Sequence, residues 1–282
     1  MTVCVAIKVH DCIVFAADSA SSLSAVNGAG EQVIVNIYEN ANKVFNLYRG
    51  LPICAMTAGI GNFGNASIST LSKDLRIRLS SEGDPLFVDK TNYTMEEIAN
   101  KAKQFLFEET FKLIQPTQLG EFNYWIGGYD SDGNGSGEIW RIFIKDGVCG
   151  DPVCEAANDS CTITWGGQPE AINRLLLGYG QAMPTALKDA GFDDVQVQKL
   201  TLHIANKSQA NLMHQAMPTT DAIELADFLV ETTKKFVKFS PGGNTVGGDS
   251  DIATVTKHEG FKWISRKHFY QKKFNPMENG HV

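Results

Sequence analysis

The sequence predicts an α+β fold in which antiparallel sheets lie between layers of helices. Three observations predict it. Strand patterning occupies the chain up to Thr57, two helix-type stretches follow, and strands resume before one last long helix and a closing strand pair. The early strands are joined by turns too short for parallel crossovers, so they pair antiparallel.

Val3, Val5, Ile7 and Val9 are apolar at period two, Cys12 to Ala17 form a near-continuous apolar run, and His10-Asp11 lies between them as a turn. In such a hairpin the end of the second strand returns beside the start of the first, which brings Asp18 close to Thr2. Residues 20–40 are Ser/Ala/Gly-rich and then alternate at Val33, Val35 and Ile37, as in a hairpin with an insertion. Lys43 to Tyr48 and Leu51 to Thr57 make a further strand pair around Arg49-Gly50. This puts Lys43 at a strand start, expected on the sheet that carries Thr2 and Asp18. By itself a lysine there reads as a solvated edge charge.

The turn Ala58-Gly59-Ile60-Gly61-Asn62 leads into a helix expected from about residue 62 to Ser81, apolar at Ile68, Leu71 and Leu75. A glycine in such a turn lets the backbone approach a ligand, and a helix start offers free N–H groups. A loop around Gly83 to Asn92 precedes a second helix, Thr94 to Ile114. It opens on the capping-box form Thr94-Met95-Glu96-Glu97 and carries a stripe of Ile98, Ala102, Phe105, Leu106 and Phe111.

Strands are expected at Tyr124 to Tyr129 and Glu138 to Ile144. The loop between them matches the opening half of a calcium loop at Asp130, Asp132, Asn134 and Gly135, but its twelfth position is Arg141 where a glutamate is needed, so it reads as a Gly/Asp-rich hairpin. A turn at Asp146-Gly147, a Cys-rich connector and a strand Thr162 to Trp165 follow, and Gly166-Gly167-Gln168-Pro169 opens a helix toward Leu177. Gln181 to Gln215 is ambiguous, with Val195, Val197 and Leu200 to Ile204 suggesting a strand. Thr220 to Phe239 is an amphipathic helix, and Ile252 to Val255 pairs with Phe261 to Ile264. The tail from about Arg266 is polar and aromatic without period, as expected of a disordered segment or one reaching a neighbouring subunit.

At 282 residues with 43% hydrophobic content the chain is expected to be one domain, residues 1–282, with an insertion near 20–40 and the tail from about 266. A net charge of −7 with scattered lysines and arginines argues against nucleic acid or an anionic membrane as partner. No apolar run approaches the roughly eighteen residues that span a bilayer. Residues 3–17 are interrupted by Lys8, His10 and Asp11, unlike a secretory signal, so a cytoplasmic protein is expected. The six cysteines form no C-x-x-C pair, and reduced, mostly buried thiols are the expectation rather than disulfides or zinc.

Thr2 becomes the chain terminus if Met1 is removed. It then carries a hydroxyl able to attack a carbonyl and an α-amine with a reference pKa of about 7.7–8.0, suited to act as a base.

Thr2 before a hydrophobic strand, Ala16-Ala17-Asp18-Ser19, Asn42-Lys43-Val44 and Thr57-Ala58-Gly59-Ile60-Gly61 resemble, in order and spacing, proteasome β subunits and their bacterial relatives among the N-terminal-nucleophile (Ntn) hydrolases. Weaker likeness continues in Gly127-Gly128-Tyr129-Asp130, Trp165-Gly166-Gly167 and Val246-Gly247-Gly248. The length, the start MTVC and the late Val-Gly-Gly are most similar to Anbu, the ancestral β-subunit type.

The resemblance implies a four-layer αββα sandwich and a threonine peptidase in which Thr2 attacks, Asp18 and Lys43 assist and the Gly59 N–H holds the oxyanion. It implies no metal or organic cofactor, a peptide or unfolded-protein substrate, and a homo-oligomeric ring or spiral, and leaves an unfoldase partner open. Where the family commonly has a serine supporting the amine this chain has Gly166, which leaves Thr245, Ser250 or a water for that task. Two other readings stand beside it: a non-catalytic or latent structural subunit of a proteasome-like assembly, and an Ntn amidase acting on small amides.

Overall fold

A computed structural model describes residues 2–28, 32–114, 120–133, 135–157 and 160–267. Strands β1 (Val3–Lys8) and β2 (Cys12–Ala17) form the expected hairpin; β3 (Ser21–Val26) and β4 (Gln32–Tyr38) make a separate two-stranded sheet. β5 (Val44–Asn46) and β6 (Ile53–Gly59) follow, then a small hairpin of β7 (Asn62–Phe63) and β8 (Ala66–Ser67) before α1 (Ile68–Ser80). α2 (Met95–Lys103) continues into a π-helical turn over Gln104–Thr110 and a 3₁₀ turn, Phe111–Leu113. β9 (Glu121–Gly128), β10 (Glu138–Lys145), β11 (Val148–Cys149), β12 (Val153–Ala156) and β13 (Thr162–Gly167) come next. The chain then forms α3 (Glu170–Leu176), α4 (Met183–Asp189), α5 (Asp194–Ser208), α6 (Thr219–Phe239), β14 (Asp251–Thr256) and β15 (Gly260–Ser265).

Two larger antiparallel sheets organise these elements. The first runs β13-β1-β2-β14-β15 and the second β11-β10-β9-β6-β5, with β12 also on β10. Alternation along β1 decides what each face meets. Val3, Val5 and Ile7 pack with Ile172 and Leu176 of α3 and Ala222, Ala226 and Leu229 of α6. Cys4 and Ala6 turn the other way, toward Cys54 and Met56 of β6 and Trp125 of β9. The far side of the second sheet buries Phe45, Ile53, Phe122 and Tyr124 against Leu71, Leu75 and Leu79 of α1 and Ile98 and Ala102 of α2. Leu75 is fully buried in that cluster. Leu75→Ala is expected to lower unfolding free energy by about 2–5 kcal/mol, read by chemical denaturation, because a stripped core leucine loses both transfer energy and contacts.

Three expectations are corrected. The helix after Gly59 starts at Ile68, not near 62, because residues 62–67 close a tight hairpin and Ser67 caps the helix, its hydroxyl accepting the Thr70 N–H at 3.1 Å. Lys43 immediately precedes β5, in the second sheet, whereas Thr2 and Asp18 belong to the first. The stretch around 195–204 is helical. Asp193 and Gln196 form a capping box there, and of α5 only Val197 is buried, so the apolar spacing reports almost no packing. In α2, Thr94 accepts the Glu97 N–H at 3.1 Å, but the Glu97 carboxylate turns to Lys101, 2.6 Å away.

Among the described residues no helix is long and apolar enough to cross a membrane. All six cysteines are free, with Cys4, Cys12 and Cys54 buried. Asp130 accepts the Met95 N–H at 2.6 Å and so serves the start of α2; Asn134, which shares the partial calcium-loop match, lies outside the described residues.

Candidate active site

The register Cys4↔Ala17 sets Asp18 opposite Val3, one residue beyond the end of β2. Asp18 is fully buried and its carboxylate has four donors. Oδ1 accepts the Val3 N–H at 2.9 Å and the Lys43 ammonium at 2.5 Å; Oδ2 accepts the Ala20 and Gly247 N–H groups, each at 3.0 Å. A buried carboxylate is tolerable only when so satisfied. Lys43 reaches it from the edge of the second sheet, with its own carbonyl accepting the Thr57 N–H at 2.9 Å. The ion pair is therefore a bridge between the two sheets and is itself buried.

Thr2 is held from both ends. Its carbonyl accepts the Gln168 N–H at 2.7 Å, and the next N–H along, that of Val3, is the one donated to Asp18. The approach of β13 is so close that a Cβ on Gly167, whose φ is +91°, would stand 1.9 Å from the Thr2 carbonyl oxygen. Gln168 and Gly167 carry no signal in the sequence for this task beyond the Gly-Gly before a helix.

Thr2, Lys43, Thr57, Gly59, Ser21 and Tyr38 share one cavity of about 400 Å³, roofed in part by the β3–β4 hairpin. Gly59 has φ +98°, and a Cβ there would lie 2.0 Å from the Glu121 carbonyl oxygen, so the turn requires glycine. N–H groups alternate along a strand. Those of Thr57 and Gly59 face the β5 side, Thr57 donates to Lys43, and the paired residues of β5 end before Gly59 is reached. Gly59 thus lines the cavity from a strand end. That end is not the helix start anticipated from the sequence.

The neighbouring thiol is not a rival nucleophile. Cys4 Sγ donates to the Thr57 carbonyl at 2.9 Å, and complete burial pushes its pKa far above the ordinary thiol value.

Gly166, Thr245 and Ser250 do not line this cavity. A Cβ on Gly166 would sit 2.3 Å from the Trp125 ring, in the space between the sheets. Gly166→Ser is accordingly expected to destabilise the fold through that clash, without a gain in Thr2 reactivity, in a melting-temperature and inhibitor-labelling comparison. Thr245 is buried beside a second cavity of about 410 Å³ with Gln168, Glu170 and Thr233, and its hydroxyl has no partner among the described residues. Ser250 donates to Glu231 at 2.8 Å and accepts from Lys234 at 3.3 Å, on the side of α6. A second buried pair, Lys267 with Asp251, stands beside the first. Its partners stand at the two ends of the β14–β15 hairpin, 16 residues apart, and sequence patterning does not single them out.

No family model matches the sequence, and no curated protein matches it. Solved structures do. The chain is similar to the Anbu complex from Pseudomonas aeruginosa, described as a helical assembly, at 13% identity and a TM-score of 0.52 over 95% of this chain and 88% of that one. It is also similar to a Gly-1 mutant of Anbu from Hyphomicrobium sp. strain MC1, at 15% identity and a TM-score of 0.51 over the whole of both chains. The resemblance read from the sequence is thus met in the fold, which is similar to that of these two Anbu structures.

Proposed function

We propose that this chain is a threonine-type peptidase or amidohydrolase that acts through an acyl-enzyme on Thr2 once Met1 is removed. The observation that carries the reading is the buried Asp18–Lys43 pair, 2.5 Å apart, whose Lys43 lines the same cavity as Thr2 and Gly59 while Asp18 stands behind it. In this reading the architecture is the four-layer αββα sandwich of a single domain over residues 1–282, with the β3–β4 insertion; the tail expected from about 266 lies outside the described residues from 268 on.

Thr2 Oγ attacks the scissile carbonyl, and its proton passes to its own amine, directly or through a water, or to Lys43. Asp18 orients Lys43 and balances its charge. The Gly59 N–H stabilises the oxyanion of the tetrahedral intermediate. Collapse of that intermediate expels the amine product and leaves an ester on Thr2, which water hydrolyses to return the hydroxyl. No step calls for a metal or organic cofactor. The substrate is a peptide or unfolded protein, the enzyme is cytoplasmic, and it works as a homo-oligomer, a reading supported by similarity to a chain solved as a helical assembly.

One observation favours the latent-subunit alternative: neither Thr245 nor Ser250 lines the cavity beside Thr2, and Gly166 has no side chain to offer, so the amine has no supporting side chain from those three positions. A panel of fluorogenic peptides and small amides, run on wild type and Thr2→Ala, tests the proposal. Turnover of peptides that vanishes in the variant is expected. Turnover of small amides alone would move the assignment to an amidase, and no turnover of either to a latent subunit.

A further inference from the structure

Lys267, Asp251 and Ser19 take no part in the chemistry above, yet all three are buried. Lys267 follows β15 and is held by one carboxylate at both ends. Its N–H donates to Asp251 Oδ1 at 3.1 Å and its ammonium lies 2.6 Å from Oδ2. The same ammonium donates to the Ala41 carbonyl at 2.9 Å and to Ser19 Oγ, so its three protons have three acceptors from three separate parts of the chain.

Each of those parts leads to the candidate site. Ser19 directly follows Asp18. Its N–H donates to the Gly247 carbonyl and its carbonyl accepts the Ala41 N–H, both at 2.9 Å, while its hydroxyl donates to the Asp249 carbonyl. Gly247 in turn gives its N–H to Asp18. Ala41 lies two residues before Lys43. The segments bearing Asp18 and Lys43, which belong to different sheets, are therefore fastened to each other through one ammonium. Burying a second lysine–carboxylate pair has a large desolvation cost, and an apolar residue would fill the volume as well; what the ion pair adds is direction.

We propose that Lys267, held by Asp251, is a positioning residue for the Asp18–Lys43 pair, fixing where the Lys43 ammonium stands relative to Thr2. Its catalytic consequence rests on the function proposed above; its structural consequence does not. The test uses the full chain as Lys267→Met, Lys267→Arg and the double variant Asp251→Asn/Lys267→Gln, which keeps hydrogen bonding and leaves no buried charge unpaired. Crystal structures read the Lys43–Asp18 contact, and labelling by a threonine-directed β-lactone reads KI and the maximal labelling rate separately.

In Lys267→Met the Lys43 ammonium is expected to leave Asp18, to beyond the roughly 4 Å of an ion pair. The labelling rate is expected to fall about tenfold or more with KI unchanged, as for a misplaced catalytic group. Lys267→Arg is expected to restore part of the rate, and the folded double variant to label as slowly as Lys267→Met. An intact 2.5 Å contact in Lys267→Met or in the double variant, or wild-type labelling by the folded double variant, would overturn the proposal. If wild type itself is not labelled, the acyl-transfer reading fails, and the crystallographic arm still decides whether Lys267 positions the pair.

Discussion

Asp18→Ala is expected to cost about 3–5 kcal/mol in unfolding free energy and to abolish labelling of Thr2, the largest combined effect of any single change in the site. The carboxylate is fully buried and serves four donors. Its removal leaves the Lys43 ammonium, 5% exposed, without its counter-charge, along with three backbone N–H groups that lose their acceptor. Lys43→Met separates the two consequences. It keeps the volume of the stem and leaves Asp18 with its three backbone donors, so most of the stability cost should be absent. The labelling rate should nevertheless fall by about 10²–10⁴, the range for loss of a positioned acid or base. Denaturant titration of both variants, run beside the labelling assay, checks the pair of results. Equal stability losses in the two would show that the backbone donors to Asp18 contribute little.

Thr2→Ala carries the second large effect, on chemistry alone. The backbone of Thr2, through its carbonyl and the adjoining Val3 N–H, makes the contacts that anchor it, and alanine preserves both. Stability is expected to stay within about 1 kcal/mol of wild type, while acylation and turnover drop to background. Thr2→Ser should retain acylation, because the hydroxyl and amine are both kept. A Thr2→Ala variant that still turned over peptides at the wild-type rate would place the chemistry elsewhere.

How much of this was legible in the sequence differs element by element. The β1–β2 hairpin was legible because both strands are apolar and the turn is short, and the return of Asp18 to Thr2 follows from antiparallel pairing alone. Lys43 was legible as a residue through its place in the resemblance, but its sheet was not: three-residue β5 pairs with β6, and only tertiary packing brings its edge over the other sheet. Val195 and Val197 imitated a strand because α5 is mostly exposed and lacks the wide apolar stripe by which a helix declares itself; the capping pair Asp193 and Gln196 was the better signal. The start of α1 was misplaced because a two-residue strand pair leaves no periodicity to read. Lys267 and Ser19, 248 residues apart, share a hydrogen bond that no local pattern encodes.

In the proposed mechanism Thr2, freed of Met1, is the nucleophile. Intact mass of the purified protein, before and after a threonine-directed epoxyketone or β-lactone, tests it most directly. A mass lacking Met1 and a single adduct that is lost in Thr2→Ala are expected. Retained Met1 with no adduct, in protein expressed in its native host, would contradict that mechanism and leave a structural subunit on the same fold.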